Sequence, residues 1–392
     1  MSARDPLDEL WARHHAAWRE PAQIASGWHG AGEVDRTLFR ARTRGRWWQT
    51  LAELGGTLLV TREYEHLVMA LRATPDGPDV TYLPVPHPSG LAVDAERRRV
   101  ILASTRNPNQ IVELRPVAGT LPRRDVDAEP AGHPLIPVQT RFLPGCLYLH
   151  DLALVDGVLH ANAVGQNAVV RLHDNATGAE PVWWPESIET ASDPLFGRNH
   201  LQLNSIAAGP SLEQSFFSAS VEKPSARRPG HLNFPVDRRG VVFSGASRRP
   251  VVRGLTRPHS ARLHDDRLWI DDSGYGRLVT ADLTTGSLET VAQLPGWTRG
   301  LCFRNRVAIV GTSRVIPRFR HYAPGLDVET SECGLHAVDI DRGEVLGSLI
   351  WPRGNQIFAI EWAPPDLTTG LPFPTRRPSK ERSKRLFYAF EI

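Results

Sequence analysis

The sequence predicts an all-β protein, a six-bladed β-propeller closed by both ends of the chain, with a short helical N-terminal arm. Three observations carry this. The run 258–286, PHSARLHDDRLWIDDSGYGRLVTADLTTG, alternates apolar and polar residues through three short strands joined by tight turns. Its opening recurs along the chain as Ser89-Gly-Leu-Ala-Val, His150-Asp-Leu-Ala-Leu, Asn204-Ser-Ile-Ala-Ala, His259-Ser-Ala-Arg-Leu, Arg299-Gly-Leu-Cys-Phe and Phe358-Ala-Ile-Glu-Trp. Repeated sheet units of this size are the signature of a propeller. Finally, the opening at Phe358 has no hairpin after it, whereas the hairpin at 58–71 has no opening strand before it. Joined, the two ends complete one blade and remove exposed sheet edges.

Taken in order, residues 1–50 place Leu7, Leu10, Trp11, His14 and Trp18 at helical spacing, and residues 36–48 mix arginines with Leu38, Phe39, Trp47 and Trp48. This stretch is read as an amphipathic helical arm packed on the ring, which forms the domain 51–392. Strands follow at 58–61, 66–71 and 80–85, and then the repeat takes over. Each opening leads to a second strand, a polar loop and a third strand, after which Asp174, Asp282 and Asp339 each begin a D-x-x-x-G turn. The tail has a basic, proline-rich connection over 372–385 and then LFYAFEI, read as a last strand.

Composition narrows the classes of function. The 392 residues are 41% hydrophobic and 23% charged, as suits a folded chain, and the net charge of +3 speaks against a nucleic-acid binder. The acidic start MSARDPLDELW lacks the apolar core of a signal peptide, and no run is long enough to span a membrane. A cytoplasmic protein is expected. Cys146, Cys302 and Cys333 are widely spaced and odd in number, so reduced thiols are expected.

A propeller's opening strands surround its central channel, so Ser89, His150, Asn204, His259, Arg299 and Phe358 are expected around one mouth. Loops between second and third strands should bring Arg106, Asn107, Asn162, Gln166, Glu222, Asp272, Tyr275, Arg314 and Glu332 to the same face. The predicted pocket is polar and of mixed charge, with a small-molecule ligand as its expected occupant. Three readings stand side by side. His150, Asn204 and His259 could ligate one divalent metal, with water and one carboxylate filling the shell; the histidine content points away from calcium, for which the equivalent positions offer only Asn204 with Asp151, Glu332 or Glu361 as helpers. Alternatively, His150 or His259 acts as a metal-free general base while Arg299 holds a substrate anion and Asn204, Ser260, Asp272, Tyr275, Arg314 and Glu332 line the ligand. In the third reading the histidines only bond neighbouring backbone. Cys333 is read as an inert buried thiol, and His200 lies on the approach to Asn204.

Five motifs, His150-Asp-Leu-Ala, Leu203-Asn204-Ser-Ile-Ala, Arg257-Pro-His259-Ser-Ala-Arg-Leu-His264-Asp-Asp-Arg-Leu-Trp269, Leu294-Pro-Gly-Trp-Thr-Arg299-Gly-Leu and Glu332-Cys333-Gly-Leu, lie within a likeness that runs over roughly residues 51–364. They resemble a family of uncharacterised bacterial proteins with the motifs H-E-M-A, H-L-N-G-L-A, M-P-H-S-P-R-W-H-D-G-R-L-W, L-P-G-F-T-R-G-L and D-C-G-V-W. Asp151 stands where that family has glutamate, and the spacing from His200 to Asn204 is two residues longer than in that family's H-L-N. At greater distance the plan is similar to gluconolactonase, paraoxonase and strictosidine-synthase-like propellers, which implies an enzyme site at the channel mouth. Two function classes follow: a small-molecule enzyme of metal-assisted hydrolase or lyase type, or a non-enzymatic propeller that binds a protein or peptide on the same face.

Overall fold

In the computed structural model the described residues are 34–105, 109–120, 132–145, 147–174, 178–225, 227, 229, 234–376 and 390–392. Six antiparallel sheets form the blades of the propeller. Blade 1 combines Thr57–Arg62, Leu67–Thr74 and Gly77–Pro84 with the inner strand Ile360–Ala363 from the far end of the chain, in the register Leu59↔Glu361. The expected closure of the ring is therefore present. Blades 2 to 5 begin with the inner strands Pro88–Asp94, Leu149–Val155, Leu203–Ala207 and Pro258–His264, and blade 6 with Trp297–Arg304.

Apolar residues point from each sheet into the gap before the next, so the core is a ring of interblade clusters. One of them joins Leu152 and Leu159 of blade 3 to Ala92 and Ile101 of blade 2. The D-x-x-x-G turns at Asp282 and Asp339 behave as read: Gly286 N donates to Asp282 O and Gly343 N to Asp339 O, both at 2.8 Å, and Asp282 Oδ1 accepts from Thr284 N and Thr285 N, while residues 175–177 of the third turn lie outside the described residues. Gly286 takes φ 73°, a region that a side chain disfavours.

The arm departs from its expected form. Residues 1–33, with Trp11 and Trp18, lie outside the described residues. Over 36–48 the chain is no continuous helix: Arg36–Phe39 is a 3-10 turn, Arg42–Gly45 is a strand paired to the outer edge of blade 6, and only Trp47–Leu54 is α-helix. The free edge Glu344–Ile350 offered ladder hydrogen bonds that a short arginine-rich helix could not match. The helix buries Trp47, Thr50, Leu51 and Leu54 on one face, as spacings of three and four dictate. They pack against Leu58, Met69, Leu335 and Leu349, between blades 1 and 6. A Cβ on Gly347 would lie 2.3 Å from Trp47 N, so the helix can dock only because that residue is glycine.

The tail ends in a strand, as read, but a short one. Phe390–Glu391 pairs with Gly119–Thr120 in a separate two-stranded ladder, outside every blade. No helix among the described residues is long and apolar enough to cross a membrane.

Candidate functional site

The inner strands of blades 2 to 6 share one irregularity. Their register slips between Pro88 and Leu91, Leu149 and Leu152, Leu203 and Ser205, His259 and Arg262, and Thr298 and Leu301. Bulges of this kind re-aim side chains and free backbone groups from the ladder. Ser260 (φ 50°) and Gly300 (φ 88°) are the left-handed residues of two of them.

Part of the freed polar material joins blade to blade. Ser89 Oγ donates to Leu149 O at 2.7 Å, Thr61 Oγ1 donates to Ser89 O at 2.7 Å, and Gly300 N donates to Ser260 Oγ at 2.8 Å. Asn204 does the same with its amide nitrogen, donating to Pro258 O at 2.7 Å, but its buried Oδ1 has no partner among the described residues. Ser89, Asn204 and Ser260 are thus interblade joints, and only Asn204 keeps an acceptor to spare.

The remaining opening residues gather at the mouth. The Arg299 guanidinium lies over the Phe358 ring, 3.3 Å from its centroid, and its Nη2 is 3.5 Å from His150 Nδ1. His150 packs edge-on to Phe358 at 5.3 Å, and its Nε2 is 3.5 Å from Gln202 Nε2. The Gln356 amide, turned with its oxygen toward Arg299, accepts from Nη1 at 3.0 Å and donates to Glu63 Oε2 at 2.8 Å. Glu63 also accepts from Thr105 Oγ1 at 2.6 Å, so the carboxylate that steadies Arg299 is itself held. Residues from blades 1, 3 and 6 thereby meet at one point.

His259 is buried. Its Nδ1 lies 2.8 Å from Arg257 O and 2.9 Å from Ser273 Oγ. The carbonyl can only accept, so Nδ1 carries the proton and Nε2 is left as the basic nitrogen. Burial, then the nearby charges of Arg299, Arg257 and His150, hold the imidazole well below the usual histidine range, so it is neutral at pH 7. Burial also lowers Arg299, to about 10.

One layer deeper the channel holds a second charged group. Arg262, three residues beyond His259, donates Nη1 to Asp151 Oδ2 at 2.9 Å and Nη2 to Glu361 Oε1 at 3.4 Å. Asp151 also accepts from Ile206 N at 3.0 Å. These three side chains come from the inner strands of blades 5, 3 and 1 and tie alternate blades across the axis. Glu361 is pushed up to about 7, first by burial, against the lowering effect of Arg262.

Other residues named from the sequence lie in structural settings. Asp272 is fully buried, accepts from Thr256 N at 2.7 Å and pairs with Arg277. Tyr275 donates to Asp237 Oδ1 at 3.0 Å, Arg314 Nη2 donates to Pro352 O at 2.9 Å, and Glu332 forms a bidentate pair with Arg44 of the edge strand, both contacts 2.7 Å. Glu222 pairs with Arg253. Asn162 is buried in the second strand of blade 3, Gln166 ends a 3-10 turn there, and His200 N donates to Asn167 Oδ1. Cys333 packs among Trp47, Leu335 and Trp351, and burial pushes its thiol up to about 12, which suits the inert reading. Arg106, Asn107 and Cys146 lie outside the described residues.

Sequence reasoning missed Glu63, Gln356 and Arg257. Glu63 occupies the loop between second and third strands, the location that the repeat marks for the site. Its blade is split between the two ends of the chain, so the repeat alignment, which starts at Ser89, passes it by. Among the described residues no three His, Cys, Asp or Glu side chains come together as metal ligands.

Residues 45–368 match the family described as Domain of unknown function (DUF4915). The chain belongs to this family. No curated protein matches it. Solved structures similar to it include a chain of a nidogen/laminin complex, with 11% identity, a TM-score of 0.50 and coverage of 78% of this chain and 97% of that one. A protein of unknown function from Bacteroides caccae has 12% identity and a TM-score of 0.48 over 78% and 98% of the two chains. A gluconolactonase from Xanthomonas campestris has 14% identity and a TM-score of 0.44 over 76% and 86%. At such identity the likeness is one of fold.

Proposed function

We propose that this propeller is an enzyme that acts on a small molecule at the channel mouth by histidine acid–base chemistry, of hydrolase or lyase type. The observation that carries the reading is the tautomer of His259: with Nδ1 spent on a carbonyl, a neutral imidazole presents Nε2 as a base beside Arg299 and His150. In this reading His259 takes the proton, Arg299 steadies negative charge on the substrate, and His150, in contact with Arg299, is the second proton carrier. Phe358 fixes the guanidinium plane from below.

The test is to incubate the full chain with a panel of small lactones, esters and hydroxy acids and follow products by proton NMR. Turnover should be present in the wild type and fall at least about 100-fold in His259→Gln, the low end of what a general base contributes. Equal turnover in both proteins would remove the base. Stoichiometric metal in the purified protein, lost in both His150→Ala and His259→Ala, would replace this route by the metal-assisted one.

A further inference from the structure

Arg257 is absent from the chemistry described so far, and nothing in the ring explains it. It lies two residues before His259, with φ 54°, and its side chain stacks on Tyr322 at 4.6 Å. The residue is only 7% exposed, yet its Nε and Nη1 have no hydrogen-bond partner among the described residues. Burying a guanidinium without a counter-charge is costly, and a fold that keeps one needs a return for it.

The surroundings say what would satisfy it. Arg299 is near enough to repel Arg257, and burial holds both guanidinia down to about 10. Asp151 and Glu361 are engaged by Arg262, and burial pushes Asp271, opposite His259 in the ladder, well above the usual carboxylate range toward its neutral acid, so the carboxylate that counts here is Glu63, held against Arg299 through Gln356. Two guanidinia and one carboxylate leave a single positive charge. A guanidinium fork matches the two oxygens of a carboxylate. A phosphate dianion would bring more negative charge than this balance accepts.

We infer that the mouth takes a small organic monocarboxylate, seated on the Arg257 fork with Arg299 alongside. The inference rests on the acid–base reading for the location of the site and adds the substrate class. Arg257 is then a binding residue, and His259, whose Nδ1 is bonded to the carbonyl of Arg257, is placed by the same segment that holds the ligand.

Trp297 packs edge-on to His259 at 6.0 Å and serves as an intrinsic reporter. The experiment titrates the full chain with acetate, lactate and pyruvate, and separately with inorganic phosphate, at fixed ionic strength, and reads tryptophan fluorescence and calorimetric heat. At least one monocarboxylate should bind saturably, with affinity reduced tenfold or more in Arg257→Met and less in Arg257→Lys. His259→Gln should keep that affinity within about threefold while losing turnover. Saturable binding with no turnover in any variant would sink the acid–base reading and leave the carboxylate assignment standing. The assignment itself is overturned if no monocarboxylate binds, if phosphate binds more tightly, or if Arg257→Lys and Arg257→Met both bind as the wild type does. Arg257→Lys retains the charge and so provides the comparison should the methionine variant fail to fold.

Discussion

The channel carries arginines at two depths, and they are treated in opposite ways. Arg262 is tied to Asp151 and Glu361 from two other blades, so its charge is spent on holding the ring together. Arg257, at the mouth, has buried nitrogens without partners among the described residues and leans on an aromatic ring instead. The same side chain is a brace in one layer and an open binding group in the other. The contrast teaches that burial of a charge is uninformative until its partners are counted.

The largest expected effect is on the brace. Asp151→Ala leaves Arg262 with Glu361 as its one acidic partner among the described residues and orphans Ile206 N, so denaturant unfolding should show a loss of about 3–5 kcal/mol. A loss below about 1 kcal/mol would mean that the deep layer is as unpaired as the mouth.

Acid comes next. His336 lies between Thr312 Oγ1 and Ser348 Oγ, each at 2.9 Å, and burial, then Arg44, lowers it to about 4. The unfolded chain binds this proton near pH 6.5 and the folded one only near 4, so the unfolded state holds more protons in that window and stability falls as pH drops through it. About 3 kcal/mol should be lost through this residue, and His336→Gln should flatten the pH profile of the melting temperature. An unchanged profile would show that His336 takes up its proton at the same pH in the folded and the unfolded chain.

A smaller effect is expected at the interblade joints. Thr61→Val removes the hydroxyl that donates to Ser89 O and accepts from Ala359 N, at a cost of about 1–3 kcal/mol in thermal or chemical unfolding. The smallest belongs to the exposed pair of Arg44 and Glu332: Arg44→Ala should change stability by less than about 1 kcal/mol, and a greater loss would give the edge strand a role in holding the ring.

The architecture could be read from the sequence because blade openings repeat, and the same repeat placed His150, His259, Arg299 and Phe358 at one mouth. Their chemistry could not be ranked that way. Ser89, Asn204 and Ser260 hold equivalent or adjacent places and bond neighbouring blades, a use that depends on bulge geometry rather than residue type. Arg262 was in view within the fourth opening, but its partners lie 111 and 99 residues away, on other blades. Arg257 precedes the repeat unit and Glu63 belongs to the blade divided between the chain's ends, so neither had an aligned counterpart. For residues 36–48, arginine and tryptophan spacing suggested a helix, whereas the available sheet edge decided for a strand before Trp47.

The most direct measurement compares one substitution at both depths. Arg257→Met and Arg262→Met remove the same charge and leave side chains of similar length, and urea unfolding of the full chain at pH 7 gives both stabilities. Arg262→Met should lose about 3–5 kcal/mol, because a buried carboxylate, Asp151, and a part-buried one, Glu361, are stranded. Arg257→Met should lose nothing or gain about 1 kcal/mol, because an uncompensated guanidinium leaves the interior. Equal losses of several kcal/mol at both positions would contradict the account, since Arg257 would then be as much a part of the ring's framework as Arg262.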